Sequence, residues 1–153
     1  MLDNFKVSTQ WSRRMNSLKL WLTLRVHGRR AYEEHMHRQL GLAAGFADWV
    51  RSSEHFELAS PQVLPIINFR VKLPGASDEQ AHSANEAVVH DATRDGQRWI
   101  STTFVNGRSV IRVMVISYLT SERNLEELRD ALSTAVSRMT MLRAWSIKST
   151  TAD

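Results

Sequence analysis

The sequence contains no cysteine, which excludes disulfides, thiolate zinc sites, iron–sulfur clusters and cysteine nucleophiles, because each requires that side chain. Its 6 glycines are isolated from one another, so no G-x-G-x-x-G or G-x-x-x-x-G-K run is present to cradle a phosphate with backbone N–H groups. A nucleophile elbow is also missing. The longest apolar stretches, such as Val63 to Phe69, fall far short of the ~20 residues a membrane-spanning helix needs. Met1 to Ser17 has no apolar core and carries Lys6, Arg13 and Arg14, so it reads as neither a signal peptide nor a membrane anchor. A cytoplasmic location with no membrane partner is expected. Internal repeats and low-complexity segments are absent.

What remains is an ordinary globular composition. The chain has 153 residues, 42% hydrophobic and 24% charged, enough for one modest domain and too apolar for a disordered chain. Its 20 Lys+Arg against 16 Asp+Glu give a net charge of +4. Most of the positive side is arginine, which suits carboxylates, phosphates and buried ion pairs better than lysine does. Charge alone therefore leaves anionic partners open, nucleic acid included.

Periodicity sets the expected elements. Leu18, Trp21, Leu22 and Leu24 cover more than one side of a helix over Ser12 to Val26, which predicts a helix covered on most of its circumference and stopped at Gly28. Over Arg29 to Ser52, Tyr32, Met36, Leu40, Ala43, Ala47 and Val50 recur at three- and four-residue steps, the pattern of an amphipathic helix. Phe56 to Leu58 is a candidate edge strand, and Ile66 to Leu73 is a β-branched run expected to be a central strand. A third helix is expected between Ser77 and Asp95, with Gly96 in the C′ position. Two strands, Trp99 to Val105 and Ser109 to Ser117, are joined by Asn106-Gly107, the pair best able to take the two positive φ angles of a type I′ turn. The last helix starts at an N-cap Thr120 or Ser121 and carries Leu125, Leu128, Leu132, Ala135, Val136 and Met139 at helical spacing. From Thr140 a frayed tail is expected. The order predicts an α+β fold: N-terminal helices, then a small antiparallel or mixed sheet of three or four strands covered by helices.

Six histidines, His27, His35, His37, His55, His82 and His90, are the candidate metal donors. His35 and His37 stand two apart, where a helix points them to different faces, so the i, i+4 zincin spacing fails. They read as surface residues, and no metal site is expected. Arg112 is the most informative single residue. It interrupts Val110-Ile111-Arg112-Val113-Met114-Val115-Ile116, and a cation in such a strand needs a counter-ion or an anionic ligand. Spacing leaves a structural salt bridge and a ligand contact equally open, and Arg70 poses the same question. The five tryptophans read mostly as core or interface packing. A base-stacking platform would interleave aromatics with Lys or Arg on one sheet face, and only Trp99 and Phe104 fall near Arg98 and Arg108.

The run Ser12-Arg13-Arg14-Met15-Asn16-Ser17-Leu18-Lys19-Leu20-Trp21-Leu22-Thr23-Leu24-Arg25-Val26-His27-Gly28 closely resembles the S/G-R-R-x-x-x-L-K-x-W-x-x-x-R-x-x-G stretch of the pyridoxal-phosphate-dependent amino-acid decarboxylases of group II, which include the aromatic-amino-acid, histidine and glutamate decarboxylases. The resemblance continues in the family's order through Val50-Arg51, Asn68-Phe69-Arg70-Val71-Lys72 and Asn85-Glu86-Ala87. It then covers Ser101 to Val113 and enters the final helix after Thr120-Ser121-Glu122, reaching about Met139. It implies a fold like the C-terminal domain of fold-type I enzymes. In that family a large domain carries the cofactor lysine in a His-Lys-type motif, the aspartate at the pyridine nitrogen and the histidine stacked on the ring. Lys6, Lys19, Lys72 and Lys148 lie outside any such context.

By this resemblance, residues 1–28 are the connecting segment and helix that close the large domain, 29–141 the small α+β domain and 142–153 a tail. Arg112 matches the arginine at the edge of the family's active site, where it holds substrate or active-site geometry, while Arg13, Arg14, Lys19 and Trp21 are interdomain and structural. No catalytic or cofactor-binding residue is expected in this chain. The partners implied are the large pyridoxal-phosphate domain, a second subunit and a small amino-acid substrate, with neither nucleic acid nor a bound cofactor expected for the chain alone. Where related sequences often have Ser-His-Thr, this one has Ser101-Thr102-Thr103, so a role for that histidine is not carried over. Two alternatives stand beside this reading: a ferredoxin-like module for anions or RNA, and a degenerate partner subunit that keeps only a packing surface.

Overall fold

The computed structural model describes residues 15–150, with the side chains of residues 15–141. The chain divides into two units, Met1–Met36 and His37–Asp153. The first helix, α1 (Asn16–Ser52), is broken at Gly28, whose φ of 75° and ψ of 168° are non-helical. Only a residue without Cβ takes such angles at little cost, so the glycine divides the helix where the sequence predicts a stop.

In the first unit the helix is held by local contacts. Thr23 Oγ1 donates to the Lys19 carbonyl at 2.7 Å, and Arg29–Glu33 and Arg30–Glu34 form i, i+4 ion pairs. The apolar side chains of this stretch are exposed, among them Leu18, Trp21, Leu22, Leu24 and Val26. The helix is therefore not covered on most of its circumference as its composition predicts, and the Arg25 guanidinium lies 5.8 Å from the Trp21 ring centroid.

The second unit is a four-stranded antiparallel sheet in the order β1-β2-β4-β3, formed by β1 (Phe56–Leu58), β2 (Ile66–Val71), β3 (Ser101–Val105) and β4 (Arg108–Met114). The β-branched runs Ile66-Ile67 and Val110-Ile111 fall on the two central strands, where both neighbours supply hydrogen bonds. Asn106 (φ 50°) and Gly107 (φ 77°) join β3 to β4, giving the two positive φ angles of the I′ turn.

Two further helices complete the unit, α2 (Asp78–Ala92) and α3 (Glu122–Thr150). Ser77 caps α2 in a reciprocal box with Gln80, which satisfies two otherwise orphaned N–H groups. Ser121 begins α3, its N–H and hydroxyl both donating to Asn124 Oδ1 at 2.9 and 2.8 Å. The core joins Ala43, Phe46, Ala47 and Val50 of α1 to Ile67, Phe69, Ile111 and Val113 of the sheet and to Val88, Leu128, Leu132 and Val136 of the other helices. Phe46, Trp49, Phe56 and Phe69 pack as an aromatic cluster, with ring centroids 5.2 to 5.9 Å apart.

Two local expectations are corrected. Gly96 is not the C′ residue of α2, which ends at a Thr93 cap. It closes the following turn instead, donating to the Thr93 carbonyl at 3.0 Å. α3 continues to Thr150 rather than fraying at Thr140, because no glycine or proline interrupts Met141-Leu142-Arg143-Ala144 and most of these residues favour helix. Of the described tryptophans only Trp49 packs on the core, while Trp21 and Trp99 are exposed.

Candidate functional site

Alternation along the strands assigns each side chain to a face. Ile67, Phe69 and Val71 of β2 and Ile111 and Val113 of β4 enter the core under the helices, so Asn68, Arg70, Val110, Arg112 and Met114 belong to the other face. Paired residues share a face, which adds Ser101 opposite Arg112, Thr103 opposite Val110 and Val105 opposite Arg108. Among the described residues of this unit no helix supplies core contacts to that second face. It carries Arg70, Arg108 and Arg112.

These arginines differ in how their charge is met. Arg70 Nε lies 2.6 Å from Glu57 Oε1, its cross-strand neighbour on β1, so its charge is neutralised inside the chain. Arg112 is half-buried, and its Nε donates at 3.1 Å to Oδ1 of Asn68, the residue opposite it on β2. Among the described residues no carboxylate pairs with Arg112. The salt bridge left open by the sequence is therefore absent there, and the guanidinium is held by a neutral amide. Arg108 is exposed beside a hollow of about 350 Å³ that Arg70, Val105 and Val110 also line.

The other expected residues lie apart from this face. Arg13 and Arg14 fall outside the described residues. Lys19 and Trp21 are exposed on α1 in the first unit. Thr102 pairs with Ile111 and so belongs to the helix-covered face, opposite the one that carries Arg112. Phe104 likewise shares a face with Ser109 and not with Arg108, so these residues do not interleave as a base-stacking platform would. His82 makes contacts of a structural kind: Nδ1 is 3.0 Å from Ser109 Oγ, Nε2 is 3.5 Å from Glu86, and the ring lies beside Phe104. No group of three or more potential metal ligands occurs among the described residues. None of the described helices is long and apolar enough to cross a membrane.

A pyridoxal phosphate site needs a lysine in a sheltered hollow and an acid to meet the pyridine nitrogen. Lys72 Nζ donates instead to the Ser53 carbonyl at the surface, and Lys19 is exposed on a helix. The described residues therefore do not fit the cofactor.

Sequence reading missed Asn68 and Ser60. Asn68 Nδ2 donates to Ser60 Oγ at 3.1 Å while its Oδ1 faces Arg112. The signal was faint: a polar residue in an apolar strand, in register with an arginine 44 residues away.

Residues 2–72 match the family model of the pyridoxal-dependent decarboxylase conserved domain. The chain is 30% identical over 129 residues to an aromatic-L-amino-acid decarboxylase of Catharanthus roseus, covering 84% of this chain and 25% of that enzyme. It is 28% identical over 131 residues to tryptophan decarboxylase 1 of Oryza sativa subsp. japonica, covering 83% of this chain and 26% of the relative. The crystal structure of Oryza sativa TDC with PLP and tryptamine superposes with a TM-score of 0.77 at 27% identity, covering 90% of this chain and 30% of that one. The Catharanthus roseus tryptophan decarboxylase in complex with L-tryptophan gives a TM-score of 0.71 at 30% identity, with coverage of 80% and 26%. The chain thus spans about a quarter of the length of the curated relatives it matches. Sequence and fold agree, and the chain is a pyridoxal-dependent decarboxylase-like domain.

Proposed function

We propose that the chain is the C-terminal small domain of a pyridoxal-phosphate-dependent amino-acid decarboxylase, silent by itself and completed by a large domain that carries the cofactor lysine. Residues 1–28 are the segment that closes the large domain, 29–141 the small domain and 142–153 its terminal extension. The assembled enzyme works in the cytoplasm with a second subunit. Arg13, Arg14, Lys19 and Trp21 belong to the contact with the large domain, and Arg112 meets the carboxylate of a small amino-acid substrate at the edge of the active site.

The observation that carries this reading is the half-buried Arg112 guanidinium, held by an amide and paired with no carboxylate among the described residues, on the sheet face to which the described helices of the second unit supply no core contacts. A partly desolvated cation without a counter-ion is costly. Its retention is accounted for when the anion comes from outside the chain.

Two experiments test the proposal. The purified chain, titrated with pyridoxal phosphate and offered a panel of amino acids, is expected to give no visible band that survives dialysis and no CO₂ release. A stable band with turnover would show that one of its own lysines holds the cofactor, and the fragment reading would be wrong. Substituting this chain for the matching segment of the Oryza sativa enzyme is expected to preserve decarboxylation, with Arg112→Ala in the chimera raising KM for the amino acid. A folded, cofactor-loaded chimera that ignores Arg112→Ala would remove the assigned role.

A further inference from the structure

We infer that Asn68, backed by Ser60, is a positioning residue that fixes the Arg112 guanidinium so that its terminal N–H groups form a ready fork for a carboxylate or phosphate oxyanion. This rests on the reading of Arg112 as an anion contact and names what sets its geometry.

Donor and acceptor chemistry orients the relay. Arg112 Nε–H can only donate, so the amide must turn Oδ1 toward it. That leaves Nδ2 to donate to Ser60 Oγ. The backbone keeps Ser60 in reach, because the Ala59 N–H donates to the Asn68 carbonyl at 2.9 Å. The relay thus joins the segment after β1 to β2 and β4. It uses Nε of Arg112 and leaves both Nη groups without a hydrogen bond to a described residue. A guanidinium anchored in this way presents two parallel N–H groups, the geometry that binds planar carboxylates and phosphates bidentately.

The neighbouring arginine shows that the arrangement does more than neutralise charge. On the same face Arg70 is met by the carboxylate of Glu57 at 2.6 Å. Asn68, by contrast, holds Arg112 while leaving its charge intact. An anchor that is neutral keeps the cation available to a ligand, whereas a carboxylate there would occupy it.

The test uses the full chain, labelled with nitrogen-15, with the Arg112 Nε–H resonance assigned through Arg112→Lys. Sodium acetate and inorganic phosphate are titrated separately against chloride at constant ionic strength. The expected result is a slowly exchanging Nε–H that shifts saturably, with acetate the tighter ligand if the site serves a substrate carboxylate and phosphate the tighter if it serves a phosphate group. Asn68→Ala is expected to speed Nε–H exchange and weaken oxyanion binding about tenfold, the scale of one charge-assisted hydrogen bond. Ser60→Ala should do the same to a smaller degree. Asn68→Asp keeps the acceptor and the slow exchange yet should abolish oxyanion binding, a split that a merely structural role would not produce. The inference is overturned if Asn68→Ala binds oxyanion as tightly as the parent chain, if Asn68→Asp still binds it, or if the parent shows no saturable shift at Arg112. The chimera's response to Arg112→Ala is read separately, so failure of the relay and failure of the decarboxylase assignment are distinguishable.

Discussion

Asn85 Oδ1 accepts the backbone N–H of Val71 at 3.0 Å, so a helix side chain supplies the acceptor that the sheet would otherwise provide. The β2–β4 register runs from Ile66 opposite Met114 to Phe69 opposite Ile111, and two residues further on Val71 stands opposite Ser109. There Asn85 Nδ2 donates to the Ser109 carbonyl at 3.0 Å, so the carboxamide replaces the next rung of the ladder. Asn85 is fully buried, and no water competes for these groups.

Asn85→Ala should therefore leave one buried donor and one buried acceptor unpaired and cost about 3 kcal/mol, at about 1–3 kcal/mol for each stranded group. Urea unfolding followed by circular dichroism checks it, and an unchanged midpoint would refute the rung. Asn85→Asp keeps the acceptor for Val71, but its ionised form cannot donate to Ser109 and places a charge in the core. It should be at least as destabilised at neutral pH.

What the sequence displays and what it hides divide along physical lines. The Asn106-Gly107 turn is legible because two positive φ angles are a strictly local demand. The break at Gly28 is legible for the same reason. Arg112 stands out because a charge among β-branched residues violates alternation. Its partner does not, since the β2–β4 pairing joins strands that are not consecutive in the chain and nothing local sets that register. Asn85 was hidden because a polar residue on an amphipathic helix reads as solvent-facing by default. Composition reports the apolar character of Trp21 and Trp99 without saying what covers them, and both are exposed.

The connection between β4 and α3 is gripped by α1. Arg38 donates from Nη1 to the Tyr118 carbonyl at 3.2 Å and from Nη2 to the Thr120 carbonyl at 2.8 Å, and Gln39 Nε2 donates to the Ser117 carbonyl at 2.9 Å. A lysine at position 38 has a single nitrogen and cannot span two carbonyls in a fixed fork. Arg38→Lys should therefore speed amide hydrogen exchange in residues 117–121 while leaving the β2–β4 ladder protected. Equal protection in the two proteins would mean the fork is not what orders the turn.

The turn after α2 carries a pH dependence of defined sign. The Asp95 carboxylate accepts the Gln97 backbone N–H and, next, a hydrogen bond from Arg98, and together they hold its pKa below the ordinary aspartate value of 3.8. A group whose folded pKa is depressed contributes stability that is fully present above the unfolded value and is lost as pH falls through the folded one. Asp95 is exposed, so the contribution is small and confined to strongly acidic conditions. A carbon-13 titration of the carboxyl should give a midpoint below 3.8, moving up toward it in Arg98→Gln. A midpoint at or above that value would contradict the hydrogen-bond arrangement.

The exposed apolar stretch of α1 makes the last prediction. Leu18, Trp21 and Leu22 recur at three- and four-residue spacing and are 45%, 56% and 47% exposed, and Met15 and Val26 nearby are more exposed still. Each Å² of apolar surface removed from water contributes about 25 cal/mol, and contiguous apolar patches of this kind are rarely left bare on monomeric soluble proteins. The isolated chain should therefore associate with itself, with a weight-average mass in sedimentation equilibrium that rises with concentration. Leu18→Glu combined with Leu22→Glu should return it to the monomer mass without lowering the unfolding midpoint of the second unit, whose core lies entirely within residues 43–136. A parent chain that stays monomeric at every concentration would show that this surface is not a sticky one. An unchanged association in the double variant would move the contact elsewhere, with the exposed Trp99, Tyr118 and Leu119 of the second unit the next surface to alter.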